Sequence, residues 1–522
     1  MQGQVRTSKD LTKAKKDLAQ TLHLDRMPKN SEILTYAEED EYDIVLPILQ
    51  KKPTRTISGV AIIAAMTKPS ECPHGKCLYC PGGLDTEVPQ SYTGKEPAAR
   101  RAAMHDYDPY EQVNARLHQL SDIGHPVDKC ELIIMGGTLP AQEKDYQDYF
   151  VKGCLHAFND FPGQKTEEAS LKELQKTNEK AKARCIGMTF ETRPDYCRME
   201  QIKSMLDYGA TKVEIGVQVP DDNIYKKYDR GHTVKDVIDS TRECKDSLLK
   251  VAYHLMPGLA ETKKQDLKLL KSVFEKPEFR PDMIKIYPCL VIKGTKLYEW
   301  WEEGKYHPYS TEDATELIAK FKKSIPEYAR VIRVQRDIPS NLVDAGVVKS
   351  NLRQLVEKKL EEHGEKCRCI RCREIGLKMM KEGIKPDESA IELVRRDYEA
   401  SEGKEIFLSF EDKTNDAIIG FLRLRKPGTG EIEAGIRELH VYGAQIGINK
   451  DSRPKTQDRN GGGETQMLET QDRKLKTEMA APRLWKGASH RGGAHSERRM
   501  GREETVRDIR NRCERVLQEI QV

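Results

Sequence analysis

Three cysteines lie close together in the segment ECPHGKCLYCPGG at residues 71–83, where Cys72, Cys77 and Cys80 form a CxxxxCxxC array. A structural zinc site usually has four ligands, commonly from two CxxC pairs, and no second pair follows within the next forty residues. Three thiolates suit a cubane iron–sulfur cluster whose fourth iron stays open to another ligand. Zinc with a distant fourth ligand such as His74 is the alternative that the spacing leaves open.

A second group of thiols occurs in HGEKCRCIRCRE, where Cys367, Cys369 and Cys372 have CxCxxC spacing. Three thiols this close together in a reducing compartment favour a closed structural zinc site over free cysteines. Its fourth ligand is open between His363, which is close in sequence, and Cys289, which would come from an earlier part of the chain. A second iron–sulfur cluster is the weaker alternative.

The composition is typical of a soluble globular protein with several domains. Of its 522 residues 37% are hydrophobic and 33% charged, so about two to four domains are expected. The absence of a run of 18 apolar residues and of an N-terminal signal sequence predicts a cytoplasmic protein without a membrane partner. The odd count of 13 cysteines argues against a disulfide framework. With a net charge of only +4, any nucleic-acid site must be a local patch.

Strand-like apolar runs alternate with charged, amphipathic segments over much of the chain. The runs are ELIIMGG, ARCIGMTFET, KVEIGVQV, KVAYHLMPGL and MIKIYPCLV. This alternation predicts an α/β fold with a parallel β/α barrel or part-barrel. Barrel enzymes place their sites at the C-terminal ends of the strands, where MGGT at 135–138, ETRPD at 191–195 and GVQ at 216–218 fall.

Longer motifs occur between about residue 5 and about residue 478, among them CPHGKCLYCPGG, QSYTGKEPAARRA, GMTFETRPDYC, DRGHT, KIYPCLVIKGTKLYEWWEEGKY and IRELHVYG. Together they resemble the catalytic subunit family of Elongator. That family joins a radical S-adenosylmethionine (SAM) domain to an acetyltransferase domain and modifies the wobble uridine of tRNA. One departure is the first gap of the cysteine array, which has four residues where three are commoner.

The resemblance implies a reaction and its cofactors. Cys72, Cys77 and Cys80 would hold three irons of a [4Fe–4S] cluster, and the fourth iron would bind SAM. In this family the radical made from SAM removes a hydrogen from the acetyl group of acetyl-CoA. The resulting carbon radical attacks C5 of uridine, and hydrolysis of the thioester leaves 5-carboxymethyluridine.

The resemblance also assigns roles to individual residues. Gly136 and Gly137 would offer backbone groups to the methionine end of SAM, and Gln218 would lie beside the same cofactor. Lys129 would lie near acetyl-CoA. Lys285 and Tyr287 are the predicted catalytic residues of KIYP, since a strand puts residues two apart on one face.

The segments EIFLSFED, AIIGFLRLRK and IRELHVYG alternate apolar and polar residues like antiparallel strands. They predict the start of a GNAT-like α+β acetyltransferase domain. In such folds the strand carrying Glu438, Leu439, His440 and Val441 hydrogen-bonds the pantetheine arm of acetyl-CoA. The next element should be a QxxGxG/A loop that opens a helix and holds the pyrophosphate. This sequence lacks that loop, so the domain is expected to be incomplete.

The last segment, at 479–522, is basic and unlike the family. A one-base shift of the reading frame from Met479 allows synonymous codons to encode QHHGFG, which is the missing loop, followed by its helix and next strand. Our hypothesis is that this segment is a frameshift product; a disordered tail is the alternative. A gene whose second frame cannot encode QHHGFG would exclude the frameshift.

The predicted domains follow from these motifs. They are a basic tRNA-binding region at 1–55, a radical SAM domain at 56–335, a helical linker with the CxCxxC zinc site at 336–390, the first part of the acetyltransferase domain at 391–478 and the aberrant tail at 479–522.

Local positive charge predicts a tRNA partner, bound through its anticodon loop. Residues 1–30 carry seven Lys or Arg against three acidic residues. Lys51, Lys52 and Arg55 then precede the barrel, and Arg100 and Arg101 follow the cysteine cluster. Two other functions stay open: a protein lysine acetyltransferase with a purely structural cluster, and an inactive tRNA-binding scaffold. Self-association is also left open.

Overall fold

The computed structural model describes residues 5, 7–38, 41–335, 338–428 and 432–442, all within one compact unit, Met1–Gln445. The suspected frameshift segment at 479–522 and the later part of the predicted acetyltransferase domain therefore lie outside the described residues. None of the described helices combines the length and the apolar character needed to cross a membrane.

Seven parallel strands form one sheet in which spatial order follows chain order, β1 to β7. The strands are β1 Ala61–Met66, β2 Lys129–Met135, β3 Arg184–Thr192, β4 Lys212–Gln218, β5 Lys250–Leu255, β6 Met283–Ile286 and β7 Arg330–Val334. Each pair of neighbours is joined by a crossover, as parallel pairing requires. The sheet is a curled half-barrel, and it is not closed because β1 and β7 are both edge strands. The predicted part-barrel is confirmed.

Helices fill the crossovers and surround the sheet. They are α1 Ser8–Thr21, α2 Asn30–Leu34, α3 Tyr42–Leu49, α4 Pro97–Met104, α5 Pro109–Asp122, α6 Lys144–Asp160, α7 Leu171–Asn178, α8 Met199–Tyr208, α9 Asp222–Lys227, α10 Val234–Asp246, α11 Lys263–Glu275, α12 Lys296–Glu302, α13 Thr311–Lys322, α14 Leu352–Glu362, α15 Ile370–Arg373 and α16 Ile375–Glu382. Local sequence sets several ends: Thr233 forms a capping box with Asp236 before α10, and Gly209 ends α8 in the left-handed conformation.

Side chains from α4 and α5 cover the open edge of β1. Gln112 Oε1 accepts the Met66 N–H at 2.8 Å, and its Nε2 donates to the Met66 carbonyl at 3.0 Å. Arg101 donates to the Ala64 carbonyl at 3.1 Å. These bonds satisfy backbone groups that would otherwise be a template for another strand.

A second, antiparallel sheet of four strands follows, in the order β11-β10-β9-β8. Its strands are β8 Ile391–Ala400, β9 Gly403–Asp412, β10 Ala417–Lys426 and β11 Gly435–Val441. The three segments that alternate apolar and polar residues in the sequence are therefore strands, and the KTND turn at 413–416 joins β9 to β10. The predicted change from a parallel to an antiparallel architecture is confirmed.

Buried ion pairs join the two sheets. Arg437 on β11 binds Asp282, directly before β6, with both guanidinium nitrogens at 2.6 and 2.7 Å, and it also donates to Glu405 at 2.8 Å. Arg425 on β10 donates to Glu405 at 3.0 Å and to Asp246 at 2.8 Å. Burial would raise the pKa of Asp282, but Arg437 and Lys245 hold that pKa well below its ordinary value.

We expect Arg437→Met to lower the free energy of unfolding by about 3–5 kcal/mol, because it leaves two buried carboxylates with fewer cations. Urea unfolding at pH 7 measures the change. The matched control is Arg395→Met on the same sheet, whose exposed pair with Asp397 should contribute about 0–1 kcal/mol. An equal decrease in the free energy of unfolding in the two variants would contradict the prediction that the buried ion pair contributes more than the exposed one.

Candidate active site in the half-barrel

A cavity opens at the C-terminal ends of the barrel strands and encloses about 1330 Å³ when its mouth is included. The cysteine loop forms one wall, and residues of β3, β4 and β5 form the other. The predicted site residues that line it are Cys72, Cys77, Cys80, Gly137, Gln218 and Tyr287. Motifs separated by more than two hundred residues therefore meet at one place.

The cysteine loop surrounds a histidine. His74 Nδ1 lies 3.2 Å from Cys72 Sγ, and its Nε2 lies 3.1 Å from Cys77 Sγ. Cys77 and Cys80 are buried and Cys72 is partly buried. The ligand atoms of the three cysteines are not all within 4.8 Å of one another, so they are not arranged around a single ion. A four-iron cube is larger than one ion and needs wider spacing, so these residues fit such a cluster.

Two arginines lie behind this loop. Arg230 Nη1 donates to Cys77 Sγ at 3.4 Å, and Arg193 donates to His74 Nδ1 at 2.7 Å. The hydrogen bond from Cys80, followed by the charge of Arg230, holds the pKa of Cys77 well below its ordinary value. A thiolate is the form that binds iron. The surroundings therefore favour metal binding at Cys77.

The turn after β2 brings bare backbone to the cavity. Gly136 has φ +101°, and a Cβ there would lie 2.5 Å from Met66 Cγ. Gly137 follows with φ +154°. Nearby, Thr67 Oγ1 and Gln218 Oε1 are buried without a hydrogen-bond partner. Buried polar atoms are normally satisfied, so these atoms fit a polar ligand such as the methionine end of SAM.

Charged side chains project into the cavity from neighbouring strands. Glu191 on β3 is paired in register with Glu214 on β4, and His254 on β5 with Lys285 on β6. Lys285 Nζ lies 3.2 Å from Glu191 and is also ion-paired with Glu214. His254 Nε2 lies 2.8 Å from Glu214, and the Tyr287 ring packs against His254 edge to face. The predicted pair of Lys285 and Tyr287 thus belongs to an acid–base cluster.

The ligand atoms of Glu191, Glu214 and His254 lie within 4.8 Å of one another, a spacing that would also suit a metal ion. Here Lys285 already supplies a cation between the two carboxylates. Burial would raise the pKa of Glu214, but Lys285 and Lys212 hold it well below its ordinary value. The cluster is therefore an ion-pair network with both acid and base components.

The network continues toward the N-terminal ends of the strands. Lys212, the first residue of β4, lies 2.6 Å from Glu131 and 3.4 Å from Glu214. Thr189 donates to Glu131 at 2.7 Å. Alternating acidic and basic groups thus line the interior of the half-barrel.

The thiols of Cys367, Cys369 and Cys372 all lie within 4.8 Å of one another, so they fit one ion. Lys322 Nζ lies 3.8 Å from Cys372 Sγ. Neither expected fourth ligand joins this group among the described residues. Cys289 instead packs in the apolar cluster around Cys77 and Cys80, because β6 carries it to the other end of the barrel.

The residues predicted to bind acetyl-CoA lie away from this cavity. Glu438 is partly buried on β11 and accepts from Arg423 at 2.8 Å, and Leu439 is exposed. His440 Nε2 is buried without a partner, and Val441 pairs with Gly420 on β10.

Lys129 begins β2, at the opposite end of that strand from Gly136. It is not among the residues that line the cavity. The acetyl-CoA roles of Lys129 and of the four β11 residues, 438–441, stay predictions.

Sequence reasoning missed several residues of this site. Arg193 and Arg230 stand in the motifs ETRPD and DRGHT, and an arginine directly before a proline or a glycine was the available signal. Glu191, Glu214 and His254 interrupt otherwise apolar strand runs. A polar residue at an inward strand position indicates function, but only the register shows which ones meet.

A parallel half-barrel with three cysteines on one loop at its C-terminal face defines the radical SAM class of proteins. Family models agree: the Radical SAM superfamily model matches residues 68–273 and the Radical_SAM C-terminal domain model matches 281–362. A model of the ELP3 N-terminal domain matches residues 1–57.

Whole-chain relatives narrow the assignment. The chain is 53% identical over 454 residues to a tRNA uridine(34) acetyltransferase of Methanocaldococcus infernus, covering 85% of this chain and 84% of that protein. It is 41% identical over 491 residues to human Elongator complex protein 3, covering 91% and 88%. The solved structure of Methanocaldococcus infernus Elp3 with an N-terminal deletion matches with a TM-score of 0.66 and 46% identity, covering 81% and 92%. The chain belongs to the Elongator complex protein 3 family.

We expect Lys285→Met to destabilise the fold by about 3–5 kcal/mol at pH 7, because Glu214 is left buried with less positive charge. A carboxyl whose folded pKa is lowered stabilises the fold above its unfolded pKa of about 4.3 and loses that contribution as pH falls through the folded value. The deficit of the variant should therefore shrink at acidic pH.

Urea unfolding of the wild type and of Lys285→Met at pH 7 and at about pH 4 measures how the difference in their free energies of unfolding changes with pH. Lys320→Met is the control, since its exposed pair with Glu316 should contribute little at either pH. A deficit for Lys285→Met that does not change between the two pH values would contradict the electrostatic explanation.

Proposed function

We propose that this chain is a tRNA uridine(34) acetyltransferase of the radical SAM type that makes 5-carboxymethyluridine from acetyl-CoA and uridine. The observation that carries the proposal is the cavity that the cysteine loop shares with Gly137 and with Glu191, Glu214 and His254, the two carboxylates of which are ion-paired with Lys285. The names of the archaeal relatives support the same substrate.

Cys72, Cys77 and Cys80 would hold the [4Fe–4S] cluster, which with SAM supplies a radical able to break a C–H bond. The Gly136–Gly137 turn and Gln218 would orient the polar end of SAM.

The acid–base cluster would act on protons. Lys285 would donate to a carbonyl oxygen of the thioester or of the base, since its ammonium lies in the cluster with Glu191 and Glu214. Burial would lower the pKa of Lys285, but Glu214 and Tyr287 keep it above its ordinary value, so the side chain stays a donor. His254, held by Glu214, and Tyr287 would position the substrate.

A cationic patch fits tRNA phosphates. Burial, followed by the charges of Arg101 and Arg55, lowers the pKa of Arg116 to about 10. Among the described residues no carboxylate pairs with these three arginines. Like charges held together without counter-ions suit a phosphate backbone. We propose that this patch binds tRNA near its anticodon loop and that the protein acts in the cytoplasm.

We also propose structural zinc at Cys367, Cys369 and Cys372, whose thiols converge within 4.8 Å. We expect about one zinc per chain by elemental analysis, and loss of that zinc with a lower midpoint of thermal unfolding in Cys369→Ser. Cys154→Ser, a buried cysteine away from the group, is the control. Iron in place of zinc at this site would contradict the assignment.

The function is tested by anaerobic reconstitution with iron, sulfide, SAM, a reductant, acetyl-CoA and tRNA. Mass spectrometry of the digested tRNA should show 5-carboxymethyluridine with the wild type and none with Cys77→Ala. A second protein, whose residues 479–522 are replaced by the shifted reading frame, is assayed beside the chain as written. If only the second protein forms product, the lack of activity in the chain as written is due to residues 479–522.

Two further results would count against the proposal. Acetyl transfer to protein lysines without SAM cleavage would favour a lysine acetyltransferase, and tRNA binding without any product from either protein would favour a scaffold.

The patch of Arg55, Arg101 and Arg116 gives a separate prediction. Arg116→Gln should weaken tRNA binding and reduce the slope of log affinity against log salt concentration by about 0.7–0.9. An unchanged slope would place the tRNA elsewhere.

A further inference from the structure

Arg230 is a buried cation without a carboxylate partner. Its side chain is 6% exposed, yet among the described residues no Asp or Glu forms an ion pair with it. Its Nη2 donates to the Gly216 carbonyl at 2.5 Å, its Nη1 donates to Cys77 Sγ at 3.4 Å, and its Nε is buried without a partner. Burying an arginine without a counter-ion is strongly unfavourable.

The anions available to Arg230 are sulfurs. The anionic group in contact with its guanidinium is the sulfur of Cys77, 3.4 Å from Nη1. Because no carboxylate of the described residues pairs with Arg230, the negative charge beside it comes from the cysteines and from what they bind. A cluster held by three thiolates is an anion, which makes the two groups complementary.

The chain holds Arg230 in this position from both sides. The N–H of Leu78, in the cysteine loop, donates to the Tyr228 carbonyl at 3.3 Å. Gly231 has φ +69°, and a Cβ there would lie 2.5 Å from His74 Cβ. Arg193 donates to the Arg230 carbonyl at 2.7 Å. The DRGHT turn is thus packed directly on the cysteine loop.

We propose that Arg230 is the permanent counter-charge of the iron–sulfur cluster and that it raises the reduction potential of that cluster. Reduction adds a negative charge to the cluster, and a fixed buried cation beside Cys77 stabilises the reduced form. An N–H donated to a ligating sulfur acts in the same direction. Arg230 is a positioning residue that acts through Cys77. The inference rests on cluster binding and is independent of the proposed tRNA substrate.

The test uses the full chain, reconstituted anaerobically with iron and sulfide, and reads iron content and the cluster's reduction potential by an EPR-monitored redox titration. In Arg230→Met we expect the ratio of reduced to oxidised cluster at a fixed applied potential to fall roughly tenfold, equivalent to about 59 mV for one electron. Arg230→Lys keeps the charge and should change the ratio less than about threefold.

The matched control is Arg193→Gln. Arg193 contacts the same loop, but Asp195 already pairs with its guanidinium at 2.7 and 2.9 Å. Its loss should therefore change the ratio much less than the loss of Arg230. Equal shifts in Arg193→Gln and Arg230→Met, or an unchanged potential in Arg230→Met with full iron content, would overturn the proposal.

If Arg230→Met does not fold, as judged by circular dichroism, Arg230→Gln replaces it, since an amide is polar without carrying charge. Loss of the cluster from folded Arg230→Gln together with its retention in Arg230→Lys supports the counter-charge role. Loss of the cluster from Arg230→Lys as well assigns Arg230 a purely structural role and overturns the inference.

Discussion

The pairing of buried charges inside the half-barrel is the constraint on which the site depends. A barrel interior is usually filled by layers of branched apolar side chains. Here Glu131, Lys212, Glu214 and Lys285 occupy inward positions on β2, β4 and β6, and each has an opposite charge as a neighbour. Because an unpaired charge in such a place costs several kcal/mol, on the order of 3–5, the members hold each other in register.

The same principle joins the antiparallel sheet to the barrel. Asp282 accepts hydrogen bonds from both terminal nitrogens of Arg437 and, at 2.9 Å, from the Val251 N–H. One carboxylate therefore connects β5, β6 and β11. An apolar interface of equal area would tolerate sliding, whereas forked hydrogen bonds fix one alignment. The strand predicted to hold acetyl-CoA is thereby fixed relative to the barrel strands that carry the acid–base cluster.

The sequence was informative where chemistry depends on local spacing. The array of Cys72, Cys77 and Cys80, the paired glycines after β2 and the alternation of strands and helices were all predictable from short segments. The pairing of Lys285 with Glu191 joins residues 94 positions apart, and that of Arg230 with Cys77 joins residues 153 apart. Such contacts depend on strand register and on loop packing, which no local pattern specifies. For the same reason Cys289 could be placed near the wrong metal site.

The open sheet has a consequence for the kind of molecule that can reach the cavity. Among the described strands β1 and β7 do not pair, so the sheet leaves an opening that a closed barrel lacks, and α4 and α5 cover the backbone of its β1 edge. A closed barrel admits only what fits through its mouth, which suits free metabolites. A gapped wall can be approached sideways by one residue of a long polymer, with the rest of the polymer remaining outside and no end having to be threaded.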